Sequence, residues 1–332
     1  MANITAQDVM KLRKMTSAGM MDCKNALVEA DGDFDKAVGI IREKGKLVAA
    51  KRADRETSEG AVKARIEGNK AILVALGCET DFVSRNSDFQ NLAEAIADVA
   101  IAQCPADIEG LKACKMADGY TVAEAVEAQT GKTGEKHVLV GYAKVEAPCV
   151  VAYIHKITGK LGAIVGFNKP VSEALSKGVA MQVASMNPVS IGAADCPAEV
   201  LEQEKNVAVQ KTKEEMVQKA VDAALKKAGI NPAHVDSEDH IESNTAKGWL
   251  TPEQAAQARE IIRTVGEEKA ANLPAAMIEN IANGRVQKFL KEQTLEDQDY
   301  QMSDEKISVK AAIAAEDKEA KVVAFKRFCL TD

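Results

Sequence analysis

Aromatic side chains are scarce in this chain, 4% of 332 residues with Trp249 the single tryptophan, so an aromatic in a polar, exposed setting needs a reason to be there. Histidine is rarer still. His137, His155, His234 and His240 share no metal-ligand spacing. The seven cysteines, Cys23, Cys78, Cys104, Cys114, Cys149, Cys196 and Cys329, include no close pair of the kind that zinc and redox sites use. An odd count at such spacing predicts reduced, mostly buried thiols. Also missing are Gly-x-Gly-x-x-Gly, His-Glu-x-x-His and Gly-x-Ser-x-Gly, which removes the dinucleotide, zinc-protease and nucleophile-elbow readings. Gly131-Lys132-Thr133 has the ending of a phosphate loop, but the glycine needed five positions earlier is Val126, and no strand feeds it. No apolar run is long enough to cross a bilayer, and the opening residues lack the charged and apolar regions of a secretion signal; a cytoplasmic protein away from membranes is expected. Basic residues are outnumbered 43 to 50, a net charge of −7 that disfavours coating of duplex nucleic acid. Neither a catalytic cluster nor a cofactor site is legible, so the chain does not read as an enzyme.

What is present is 46% apolar and 28% charged residues, enough for two to four folding units. Residues 5–44 carry three short helical patterns: Val9, Leu12 and Arg13 after Thr5; Ala26 and Leu27 within 22–30; and Phe34, Ala37, Val38 and Ile41 within 33–43. They predict a small three-helix bundle. Its first link sets Met20 and Met21 beside Gly19, with Asp22 placed to cap the second helix. Two methionines at a loop-to-helix corner can be core or an adaptable contact surface. Residues 46–58 are charged and read as a solvated linker, partly helical.

A hairpin signal follows: residues 61–67 alternate, Gly68-Asn69 makes the turn, and 70–76 supplies an apolar partner strand. Then comes Gly77-Cys78-Glu79-Thr80-Asp81-Phe82-Val83-Ser84-Arg85-Asn86, and a helix over 87–102 closed by Cys104-Pro105. Residues 106–136 read as helical or irregular. The order then returns, with strands over 138–146, 149–156 and 161–167, a turn at Thr158-Gly159-Lys160, and a helix over 172–186 ending at Asn187-Pro188. An internal duplication accounts for this. Measured from Lys70 to Pro105 and from Lys160 to Pro188, the first copy is seven residues longer, a surplus expected to lie in the connection that holds 79–85. Residues 197–293 form a helical tract read as an antiparallel hairpin with an elaborated tip, in which Trp249 is expected to pack the turn. A helix over 309–315 and a strand over 321–330 could complete the second sheet.

Phe82 is the residue these patterns fail to absorb. A bulky aromatic between Asp81 and Ser84 either tucks into the core or waits for a partner. Because one copy of the repeat carries the projecting loop and the other does not, packing of the shared unit does not require it. His155, at a strand end, reads as a packed or capping residue, with partner contact as the other possibility.

Three stretches in order, Thr16-Ser17-Ala18-Gly19-Met20-Met21-Asp22-Cys23-Lys24, Thr80-Asp81-Phe82-Val83 and Asn283-Gly284-Arg285-Val286-Gln287-Lys288-Phe289, make the whole chain resemble the bacterial translation elongation factor Ts family. The resemblance implies an α+β protein: a three-helix ubiquitin-associated-like domain with its linker (1–55), a first core subdomain (56–137), a second with a C-terminal module (138–196 and 294–332), and an inserted coiled-coil hairpin (197–293). The duplicated core would be built on antiparallel sheets. It also implies a guanine-nucleotide exchange factor that binds elongation factor Tu, both GDP-bound and nucleotide-free, without cofactor or metal of its own and without direct contact to nucleic acid. The implied partner-binding residues are Arg13, Met20, Met21, Thr80, Asp81, Phe82, Val83 and His155: the methionines on the partner's nucleotide-binding domain, Asp81 and Phe82 beside its magnesium site, His155 on a more distant domain. A homodimer through the helical hairpin is a further possibility, and a non-catalytic adaptor or coiled-coil protein is the alternative. The sequence departs from the family pattern in the long stretch 226–272 and in Ser17, where the family commonly has glycine.

Overall fold

The structure, a computed structural model, describes residues 4–16 and 18–331, so the substitution at Ser17 lies outside the described residues. The chain divides into two units, one reaching to Ile191 and resuming at Gln298, the other Gly192–Asp297.

In the first unit, α1 (Ala6–Thr16), α2 (Met20–Glu29) and α3 (Phe34–Lys51) pack around Leu12, Cys23, Ala26, Leu27 and Ala37. Asp33 caps α3 by accepting from the backbone N–H groups of Asp35 and Lys36. The cap of α2 is Gly19 rather than Asp22, so α2 begins two residues earlier than expected. Asp22 instead sits inside the first turn, where it pairs with Lys44 of α3 and complements the positive end of the helix.

β1 (Glu59–Glu67) and β2 (Lys70–Cys78) form the expected hairpin, with Gly68 at φ +57° in a two-residue turn. A one-turn helix, α4 (Asp81–Ser84), leads into α5 (Ser87–Gln103), followed by α6 (Ile108–Ala113), α7 (Val122–Thr133) and β3 (His137–Glu146). The second copy is β4 (Cys149–Ile154), β5 (Leu161–Phe167) and α8 (Glu173–Met186). β3 pairs with β2 and completes the first antiparallel sheet, so 138–146 belongs to the first copy and not to a second subdomain beginning at 138. The repeat is therefore hairpin, helix, third strand. Only part of the first copy's surplus lies where it was expected: the strand-to-helix connection has eight residues (79–86) against five (168–172), and the rest lengthens the strand and the helix.

β2 is buried on both faces. Ile72, Val74, Leu76 and Cys78 pack with Phe89, Ala93, Ile96 and Ala100 of α5, while Ala71, Leu73 and Ala75, with Val145 of the neighbouring β3, meet Ile164 and Leu330 of the opposing layer. The core thus stacks helix, sheet, sheet and helix, which is why β2 reads as an unbroken apolar run.

In the second unit, α9 (Ala198–Lys227) leads to a tip holding α10 (Glu238–Ala246), and the chain returns as α11 (Pro252–Ala271) and α12 (Ala275–Gln293). Thr251 and Gln254 form a capping box with Pro252 at the first helical position of α11. Pro274 interrupts the return leg. Val221 and Leu225 of α9 close over Ile230, Val235, Ile241, Leu250, Ala255 and Ala258, giving the tip a core of its own. Trp249 does not pack that turn: it is 62% exposed, its ring tilted 5.7 Å from His234 with the Lys247 ammonium over one face. Back in the first unit, α13 (Val309–Glu316) precedes β6 (Val322–Cys329), which pairs with β5 and finishes the second sheet. The cysteines are all free; Cys23, Cys78 and Cys196 are buried and the other four only partly so, short of the burial expected.

Candidate functional site

The stretch after β2 is built to hold one turn of helix and present one side chain. Thr80 caps α4, its hydroxyl oxygen accepting from the Val83 N–H at 3.4 Å. The same hydroxyl donates to Glu135 at 2.8 Å, and the Thr80 N–H donates to the other carboxylate oxygen at 3.1 Å. Cys78 donates its thiol to the Thr80 carbonyl, and Gln90 of α5 donates to the Ser84 carbonyl at 2.6 Å. Val83 packs on the α5 cluster and Ser84 is buried. Phe82, on the opposite side of the turn, is 85% exposed. Asp81 beside it pairs with Arg85 at 3.2 Å.

The electrostatics favour a fixed turn. Burial pushes the Glu79 carboxyl up, but the Lys136 N–H at 2.6 Å and the Arg52 guanidinium at 2.9 Å outweigh it and hold it below the usual carboxylate range. Burial, with the Glu135 and Glu59 charges nearby, pushes the Cys78 thiol up to about 12, so it is a hydrogen-bond donor and not a nucleophile. His137 lies behind the turn, packed on Phe89, its Nδ1 2.9 Å from the Glu135 carbonyl and its Nε2 buried without a partner among the described residues. Burial holds its pKa below the ordinary histidine value.

Met20 and Met21 occupy the first turn of α2 and are 54% and 65% exposed, so neither is core. Arg13 lies exposed on α1. Met10 and Met15, also on α1 and more than half exposed, were not singled out from the sequence; their place off the Leu12 face was the available signal. His155 directly follows β4, its Nδ1 3.1 Å from the Thr158 hydroxyl and 3.4 Å from the Thr158 N–H. Ile157 in the same turn is 91% exposed and was missed, although its polar neighbours follow the logic that marked Phe82. His155 and Ile157 line a groove with the β1 edge and with Gln90, the residue that also holds Ser84. No group of histidine, cysteine and carboxylate side chains suited to a metal ion occurs among the described residues.

A fixed turn with one projecting aromatic, an exposed methionine pair and a duplicated antiparallel core agree with the expected family, and the comparisons decide it. The family pattern described as Elongation factor TS matches residues 79–332, beginning at the Phe82 stretch. The chain belongs to the elongation factor Ts family. It is 56% identical to the elongation factor Ts of Bacteroides fragilis over 327 residues, 98% of each chain, and 55% identical to that of Bacteroides thetaiotaomicron over the same span. The factor of Porphyromonas gingivalis is 35% identical, again over 98% of both chains. Alignment at nearly equal length means that these elongation factors Ts carry a stretch corresponding to the enlarged tip. No helix among the described residues is long and apolar enough to cross a membrane.

Proposed function

We propose that this exchange factor releases GDP from elongation factor Tu by driving Phe82 between elements of the partner while Asp81 disfavours the magnesium ion that helps hold the nucleotide. The observation that carries the reading is an aromatic almost wholly in water on a turn tied down at Thr80, Val83 and Ser84. Exposing a phenylalanine is unfavourable in the free protein, and a held one loses little further freedom on binding. Arg13, Met20 and Met21 supply a second contact, soft enough to follow a partner that changes shape. His155 and Ile157 supply a third. The factor makes and breaks no covalent bond; it needs only to bind a partner conformation whose phosphate and magnesium contacts are broken better than the intact one. Both GDP-bound and nucleotide-free partner are bound in the course of exchange, in the cytoplasm.

Release of a fluorescent GDP from elongation factor Tu tests this. The unaltered chain is expected to accelerate release, and Phe82→Ala to lose about thirtyfold of that acceleration, the roughly 2 kcal/mol typical of a truncated central anchor. The loss should shrink when magnesium is chelated, because the step that Phe82 and Asp81 promote has then already been taken. A Phe82→Ala protein that matches the wild type at every magnesium concentration would remove the assignment.

A further inference from the structure

Residues 131–136, which include Gly131-Lys132-Thr133, have no part in the partner contacts described above. The glycine lies in the last turn of α7 against Gly45 of α3, so close that a Cβ on Gly131 would sit 2.8 Å from the Gly45 Cα. Lys132 pairs with Asp88 at the start of α5. Glu135 takes both the N–H and the hydroxyl of Thr80. Lys136 gives its N–H to Glu79, and its ammonium donates to the carbonyls of Ala53 and Arg55 at 2.6 and 2.8 Å, just beyond α3. Residues 46–58, which read from sequence as a solvated linker, partly helical, are helical to Lys51 as expected, but are clasped beyond it rather than free in solvent. Within this short segment Gly131 and Lys136 hold α3 and the residues just past it, while Glu135 and Lys136 hold the turn that carries Phe82.

We infer that residues 131–136 form a joint that fixes the methionine corner and the Phe82 turn at one mutual spacing, with Gly131 and Glu135 as positioning residues for nucleotide exchange. The inference rests on the exchange reading above. Two contact patches on a rigid body engage a partner as one event, because docking of the first places the second at high effective concentration. The same patches on a loose linker lose that advantage. The glycine pair makes the joint close: a Cβ on Gly45 would meet the Glu127 carbonyl and the Gly131 Cα at ordinary distances of 3.7 and 3.9 Å, whereas one on Gly131 would push α3 away. Gly131→Ala therefore strains the crossing while favouring the helix it sits in.

The test compares wild type, Gly131→Ala, Glu135→Gln and each of these combined with Phe82→Ala, by GDP release at saturating factor and by amide hydrogen exchange. Gly39→Ala, on α3 with open space around it, is the control expected to behave as wild type. Gly131→Ala and Glu135→Gln are expected to lower the maximal release rate about tenfold, as misplacement of a working group does. Adding Phe82→Ala to either should cost much less than it costs alone. Amide exchange should rise in 80–85 for both, and in α3 as well for Gly131→Ala. Wild-type release and wild-type amide exchange in both variants overturn the joint, and so does a full multiplicative loss from the added Phe82→Ala. If Gly131→Ala fails to fold, Glu135→Gln carries the same comparison without a change in volume. If the unaltered protein releases no GDP, the exchange reading fails, and the amide-exchange response alone decides whether the joint stands.

Discussion

Thr80 uses one hydroxyl twice, accepting from Val83 to start α4 and donating to Glu135 to tie that turn to the segment after α7. Thr80→Val keeps the shape and removes both bonds. It is expected to destabilise the protein by about 1–2 kcal/mol in chemical denaturation and to slow GDP release; unchanged values in both would show that the turn is held by Val83 packing alone. Phe82, Met20 and Met21 were legible because apolar side chains in polar surroundings stand out in a sequence. Ile157 met the same criterion, an apolar side chain between Lys156 and Thr158 that is left in water. The cap of α2 was misplaced for a different reason: Asp22 has the better capping side chain, but burying Cys23, Ala26 and Leu27 together starts the helix at Met20, and Gly19 takes the cap without one. Glu135 could not have been found from spacing, since its partner Thr80 lies 55 residues away.

Helices declared themselves by their caps and strands by alternation, yet pairing between strands did not follow from either. β3 is nearer in sequence to β4 than to β2, and the pairing that wins is the one that covers the open edge of β2. The tip of the second unit has a similar lesson, for a polar, helix-rich stretch hid enough apolar residues to close a core of its own. Leu225, fully buried there, is a specific handle. Leu225→Ala is expected to cost about 2–5 kcal/mol locally. Limited proteolysis should then cut 228–251 faster while the first unit keeps its thermal transition; equal cleavage of both proteins would show that the tip does not depend on this core.

Across the whole molecule, the titrating groups point the same way. His137 has its folded pKa below the ordinary value of 6.5, so the folded state prefers the neutral ring, and stability is lost as pH falls from about that value through the lowered one. Glu79 and Glu94 are also held below their ordinary value of 4.5, so the stability that they add above it is lost as pH falls further. Melting followed from pH 8 to pH 3 should show stability falling in two stages, and His137→Gln should flatten the first; a single stage near pH 4 would assign the response to the carboxylates alone. The two sheets also differ in how far the chain travels to close them. β1 meets β2 across a two-residue turn, while Phe167 of β5 pairs with Val322 of β6, more than 150 residues on. A flexible loop of that length would add a closure entropy that grows with its logarithm. The helical unit removes much of it, because its return leg brings Glu296 back beside Gly192, so that once folded it behaves as a short bridge in the path of the second sheet.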